Sequence, residues 1–348
     1  MLGAALSFLF VSIGITFQIP RLWFQLPNEP IWYWLRGAAI AWGVAAAGVS
    51  LILPLVEWLR RRWPVREFDP GRRAVLRAAQ AAALSAPVAV TGFGVFVGRH
   101  SFRVSEVNVP VAGLPADLNG LRLVQLSDIH LSPFLTESEL ATAVGMANEA
   151  RAHLALVTGD LITRAGDPID ACLRQLARLR ADAGIFGCLG NHEVHAGVEA
   201  YAARAGARQG IRFLRRESQE LRFGDATLNL GGVDYQPLGQ AYLAGVESLK
   251  SRRPGALNVL LSHNPDVFPA ARDQGWDLTL AGHTHGGQIT VEILSRQVNM
   301  ARFITPYVYG LYREEKSAIY VTRGIGTVGL PARIGAAPEI GLIRLCAT

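Results

Sequence analysis

Charge is scarce in this chain of 348 residues: 18% are Asp, Glu, Lys or Arg, against about a quarter in ordinary globular domains. Cysteine is scarcer still. Cys172, Cys188 and Cys346 form no Cys-x-x-Cys pair and no disulfide framework, so they read as buried free thiols. A P-loop is missing, as is a dinucleotide glycine fingerprint with its acidic ribose ligand. Ser127 and Ser262 lack the Gly-x-Ser-x-Gly elbow of a serine hydrolase. No internal repeat or low-complexity segment follows residue 100. Acid is also rare in the first hundred residues, which hold four Asp/Glu against ten Lys/Arg. That difference is the whole formal charge of +6, because residues 101–348 hold 24 of each sign. A balanced larger part excludes a basic groove for nucleic acid.

What fills the first hundred residues is apolar. Residues 2–19 are uncharged and long enough for a bilayer core. Residues 31–56 form a second run, with Trp32, Tyr33 and Trp34 suited to the membrane–water interface and Arg36 placed to snorkel. A third run, 78–98, is rich in alanine and contains Pro87. Between the second and third lie Arg60, Arg61, Arg62, Arg66, Arg72, Arg73 and Arg77, opposed only by Glu67 and Asp69. The positive-inside rule makes that loop cytoplasmic. The expectation is a multi-pass membrane anchor over 1–99 and a globular domain over 100–348 on the extracytoplasmic side. Arg72-Arg73 before an alanine-rich stretch also reads as a displaced twin-arginine export signal, with the same outcome. Should the third run not span, the domain stays in the cytoplasm.

After residue 100 the texture changes to compact apolar runs at 121–127, 154–159, 185–190, 258–263 and 278–283. Such runs suit strands buried on both faces. Helical patterns over Glu137–Arg151 and Ile169–Arg180 intervene, giving an α/β layered architecture. Residues 211–235 read instead as shorter strands around turns, an antiparallel section.

The chemistry lies in how the five runs end: Asp128-Ile-His130, Gly159-Asp160, Gly190-Asn191-His192-Glu193, Ser262-His263-Asn264 and Gly282-His283-Thr-His285-Gly-Gly. Carboxyl ends of parallel strands line the ligand crevice of α/β sheets. Five of the eight histidines sit in these tips. Alternation along an extended backbone lets both side chains of Asp-x-His or His-x-His reach one centre. Carboxylate, imidazole and amide donors together suit manganese, iron or zinc. The glycines before Asp160, Asn191 and His283 permit sharp turns and close approach.

The order D-x-H, G-D, G-N-H-E, H, G-H-x-H resembles the calcineurin-like metallophosphoesterase superfamily. The block GHTHGGQ, the tail from Tyr320 onward and the segment before Asp128 resemble its bacterial membrane-anchored branch. The resemblance implies two stacked mixed β-sheets flanked by helices, a four-layer sandwich, here preceded by transmembrane helices. It implies two divalent metal ions, one on Asp128, His130 and His285, the other on Asn191, His263 and His283, with Asp160 bridging. A hydroxide shared by the metals would attack phosphorus, with His192 as general acid and Glu193 orienting a neighbour. The alternative for His192 is a structural partner of Asp128. Arg323, in a glycine-rich turn, either grips substrate phosphate through its guanidinium fork or ties down the C-terminal loop. His100, His153 and His195 read as structural or exposed. The activity implied is hydrolysis of a phosphodiester or pyrophosphate near the membrane, the short link before Asp128 favouring a lipid- or envelope-linked phosphoester. Two other readings stay open: a binuclear hydrolase of non-phosphate esters or amides, and a metal-stabilised interaction module without catalysis.

Overall fold

The computed structural model describes residues 30–62, 70–235, 253–293 and 296–348. The apolar run at 2–19 lies outside the described residues. The other two runs are helices, α1 (Pro30–Arg62) and α2 (Pro70–Phe96). No charged residue stands between Arg36 and Glu57, and both helices are long and apolar enough to cross a membrane. Two compact units divide the chain. One comprises the residues before 100 together with Gly329–Ile334, and the other His100–Val328 with Gly335–Thr348. Within the first, Gly48 packs on Pro87, and Arg333 donates its N–H to the Gly94 carbonyl at 3.1 Å. A Cβ on Gly98 would stand 2.1 Å from the Arg333 carbonyl oxygen, so only glycine permits that approach.

The second unit contains two six-stranded sheets. The first runs β1 (Arg103–Val111), β14 (Glu339–Ala347), β2 (Arg122–Leu126), β3 (Leu154–Thr158), β4 (Ile185–Cys188) and β5 (Ile211–Phe213). Strands β2 to β5 are parallel, while β14 lies antiparallel to β2 and parallel to β1. The second runs β12 (Gly310–Glu314), β13 (Ser317–Val321), β9 (Leu278–Ala281), β8 (Leu257–Leu261), β7 (Ala226–Gly232) and β6 (Glu217–Phe223). Its four central strands are parallel, with an antiparallel strand at each edge. Both sheets are mixed, as the sequence led one to expect. One correction concerns 211–235: β6 and β7 form the antiparallel hairpin, but Ile211–Phe213 is a parallel edge strand of the first sheet. Three residues are too few for periodicity to reveal a strand's direction.

Period-two alternation sorts side chains between layers. Leu123, Leu154 and Leu156 face Leu228, Leu230, Val259, Leu261 and Leu280 between the sheets. Their neighbours Val124, Leu126, Ala155 and Val157 face Leu140 and Val144 of α3 (Glu137–Glu149) and Leu173 and Leu176 of α4 (Ile169–Leu176). Beyond the second sheet, Leu260 meets Val267, Ala271 and Trp276, and Ala281 meets Phe268 and Tyr307 around α7, the helix of Phe268–Asp273. Helices thus cover both outer faces, and the carboxyl ends of β2, β3, β4, β8 and β9 are left open. A polar tie crosses the interface beneath them. The buried Gln125 amide donates to Thr158 Oγ1 at 2.8 Å and to the Ala281 carbonyl at 3.0 Å, joining the two sheets.

Leu156 is fully buried between the sheets. Leu156→Ala is expected to cost about 2–5 kcal/mol through lost transfer energy and a residual cavity. Thermal and denaturant unfolding of the detergent-solubilised chain measures this.

Candidate metal centre

The five tips meet. His285 Nε2 lies 3.4 Å from Asp128 Oδ1 and 3.2 Å from His130 Nε2. His130 Nε2 lies 3.5 Å from Asp160 Oδ2. His263 Nε2 is 3.0 Å from the same Asp160 oxygen and 3.1 Å from His283 Nδ1. Asp128, His130 and His285 therefore form one group able to hold an ion, and Asp160, His263 and His283 another. Asp128, His130, Asp160, His263 and His285 are buried. Donors around one ion at a bond length near 2.1 Å stand roughly 3.0–3.4 Å apart, which is the spacing of these atoms.

Convergence is achieved by unusual backbone. Asp128, His130, Asp160, His283 and His285 all have φ between 50° and 73°. Left-handed backbone is costly for residues with a Cβ and concentrates at functional sites. Two glycines supply the remaining room. A Cβ on Gly190 would stand 2.1 Å from Asp160 Oδ1, and one on Gly282 would stand 2.3 Å from Asp128 Oδ2. Glu193 then locks the loops. It sits in α5 (Asn191–Ala196), fully buried, and its carboxylate accepts N–H groups from Gly190, Asp160, Leu161 and Ile162 at 2.7 to 3.3 Å. Its partners are backbone amides of two ligand loops, not an imidazole.

Burial by itself pushes the Asp160 carboxyl up. The facing His263, followed by His130 and His192, outweighs it and holds Asp160 well below the usual carboxylate range. Burial would lower His263, but the Asp160 carboxylate pushes it up to about 10. Burial and then the positive His263 push His283 down to about 4. Burial, with the Asp160 charge behind it, pushes Glu193 up to about 7. His263 Nδ1–H donates to the Thr158 carbonyl at 2.7 Å, which directs its Nε2 into the centre. The donor set fits divalent cations on a further observation: the Asn191 side-chain oxygen is buried with no hydrogen-bond partner among the described residues. A buried amide oxygen without a donor is rare, and a cation is one natural partner for it.

The calcineurin-like phosphoesterase pattern matches residues 121–287, from the start of the β2 run to the second glycine after His285. The chain is 31% identical over 267 residues to the uncharacterized metallophosphoesterase YkuE of Bacillus subtilis (strain 168), covering 74% of this chain and 90% of that protein. The chain belongs to the calcineurin-like metallophosphoesterases. It is 32% identical over 275 residues to the Danio rerio transmembrane protein with metallophosphoesterase domain, covering 73% of this chain and 59% of that protein. It is 28% identical over 228 residues to phosphodiesterase YaeI of Escherichia coli (strain K12), covering 64% of this chain and 82% of that protein. This metallophosphoesterase is thus a phosphoester hydrolase, and its His/Asp cluster suits the divalent ions its family implies.

The metallophosphoesterase places its other polar residues as follows. His192 is half-buried; its N–H donates to Asp160 Oδ1 at 3.0 Å and its Nδ1–H to the Thr163 carbonyl. Its Nε2 points toward Asp160 Oδ2 at 4.0 Å, so its carboxylate neighbour is Asp160 rather than Asp128. Arg323 lies along Gly286, with its guanidinium over the Tyr309 ring at 4.3 Å and its Nε 3.7 Å from Glu339. Ser127 and Ser262 donate to the carbonyls of Thr158 and Asn264, which removes them as nucleophiles. His153 accepts from the Arg122 N–H and His100 pairs with Glu139. His195 is exposed, its ring 6.2 Å from that of His192. Tyr235 escaped the sequence reading. Its ring stands 5.9 Å from His283 and 6.4 Å from His263, just past the carboxyl end of β7. Extending the strand-tip rule to that run would have found it.

His263 is raised above its ordinary value near 6.5, so its stabilising contribution is full below that pH and is lost as pH climbs toward about 10. Between about pH 7 and pH 9 the melting temperature of the chelator-treated metallophosphoesterase is expected to fall. A cation held at His263 would take the place of its proton, so added manganese is expected to remove that decline. Melts across this range with and without metal test it.

Proposed function

We propose that the centre takes two divalent cations, one on Asp128, His130 and His285 and one on Asn191, His263 and His283, with Asp160 shared. On this reading the protein cleaves phosphodiester or pyrophosphate bonds. What supports it is the second group formed by Asp160, His263 and His283, together with a buried Asn191 side-chain oxygen that has no hydrogen-bond partner among the described residues. Manganese, iron or zinc held there would supply positive charge for the phosphoryl oxygens and an activated water.

The chain's own residues do the remaining work. The Thr163 carbonyl fixes the His192 tautomer by accepting from Nδ1–H, which turns Nε2 toward the centre. Protonated at Nε2, His192 passes that proton to the leaving-group oxygen as its bond to phosphorus breaks. Glu193 keeps the Asp160 and Asn191 loops in register. Arg323 contributes positive charge to substrate phosphate beside Gly286. Activity on diesters is favoured by the likeness to a protein named a phosphodiesterase. The anchor over 1–99 spans the membrane and the domain over 100–348 lies on the extracytoplasmic side, where the arginines between α1 and α2 leave it. There it acts on a membrane- or envelope-linked phosphoester.

His192→Ala is expected to keep its metal content while phosphodiester hydrolysis falls by about 10²–10⁴. Asp160→Asn should lose metal as well as activity. Metal analysis and turnover of a chromogenic phosphodiester read both. Wild-type turnover in both variants would overturn the mechanism. Cleavage of carboxylic esters or amides alone would assign the other hydrolase class, and bound metal with no hydrolysis of any ester an interaction module. Sidedness is tested separately: alkaline phosphatase fused after residue 110 should be active, and an inactive fusion returns the domain to the cytoplasm.

A further inference from the structure

Beside the metal-binding loop lies a turn whose polarity is inverted. Among the described residues of the second unit, seven large hydrophobic side chains are exposed, and five of them fall between Val291 and Ile304. Met300 is 73% exposed, Phe303 81% and Ile304 77%. Val291 and Val298, each about half exposed, face one another across the hairpin of β10 (Val291–Ile293) and β11 (Arg296–Val298). The polar residues at the ends of the turn are the buried ones. Asn299 caps the turn by accepting the Arg302 N–H, and packs against Gly287, two residues beyond His285. Thr305 donates to Asp266 at 2.5 Å. Buried polar ends thus hold an apolar crest out into solvent, where scattered single hydrophobics are ordinary but a contiguous group marks an interaction site.

We propose that this crest, Val291 and Val298–Ile304, is seated in a lipid bilayer. The proposal rests on the reading that the chain is membrane-anchored. Two observations select lipid over another partner. The chain itself carries two helices able to span a membrane, so a bilayer is always within tether reach. No Asp or Glu occurs between Glu292 and Glu314, whereas Arg296, Arg302 and Arg313 do, and Arg302 is exposed beside Phe303. An apolar crest flanked by arginine matches acyl chains under anionic headgroups. Because Asn299 rests on Gly287, a seated crest holds the loop of His283 and His285 at headgroup level, and the phosphoester it receives is that of a membrane lipid.

The test uses the full chain in nanodiscs of phosphatidylcholine and phosphatidylglycerol. Phe303→Cys is made in a Cys346→Ser background, with Cys172 and Cys188 fully buried, and labelled with an environment-sensitive fluorophore. The expected result is blue-shifted emission quenched by spin-labelled phosphatidylcholine, with a label at Tyr201→Cys, on α6 (Glu199–Arg208), unquenched. Unchanged metal content relative to the unlabelled chain shows that the fold is kept. Water-like, unquenched emission at position 303 overturns the crest while leaving the anchor in place. Disulfide cross-linking between two copies of the unlabelled Phe303→Cys variant also overturns it, since the crest is then an interface. A chain that does not enter nanodiscs overturns the membrane-anchored reading and the crest with it.

Discussion

The Asp160 carboxylate is the point on which the site turns. It is buried, and burial alone would neutralise it. Instead three imidazoles face it, and its negative charge sets theirs in turn: His263 is drawn up, and His263 then drives His283 down. A buried charge is tolerable only when opposite charge and hydrogen bonds surround it. Every larger feature serves that condition. Parallel strands in both sheets bring their carboxyl ends to one edge, Gly190 keeps a side chain off the carboxylate, and Glu193 binds the backbone of its loop and of the Gly190 loop.

Much of this was readable in the chain. Five apolar runs ending in Asp, Asn or His predict strands with polar tips, and β2, β3, β4, β8 and β9 are those strands. The hairpin at Phe223-Gly-Asp-Ala226 announced itself through its turn residues. The backbone cost was not readable. Nothing in Asp128 or His283 signals a left-handed φ, since that conformation is imposed by the need to meet residues over a hundred positions away. The role of Glu193 was hidden for the same reason, because its partners are amides that any residue carries. Tyr235 was missed because β7 ends in glycines rather than in a liganding side chain, and the exposed crest because Val298–Ile304 has the composition of an ordinary core segment.

Strain and burial fall on opposite sides of one balance here. Five donor residues adopt backbone that glycine would take more readily, and their side chains can be tolerated only if something gathers them. The Asp160–histidine network gathers them through opposite charge and close contact. Divalent cations would do the same with more charge and fixed directions.

The route of the chain after β13 carries a consequence for how the molecule can be divided. From Gly324 and Gly326, packed against Asp128 and Ile129, it passes to Gly329–Ile334, which belong with the N-terminal helices, and returns as β14, an interior strand of the first sheet. The two units are interleaved in sequence rather than joined end to end. A single proteolytic cut near residue 99 would separate the names of two domains but not the domains themselves. Gly94 and Gly98 would stay against Arg333 after such a cut, because the contacts that join them are not covalent. The N-terminal helices thus share their packing with a thread of the later chain.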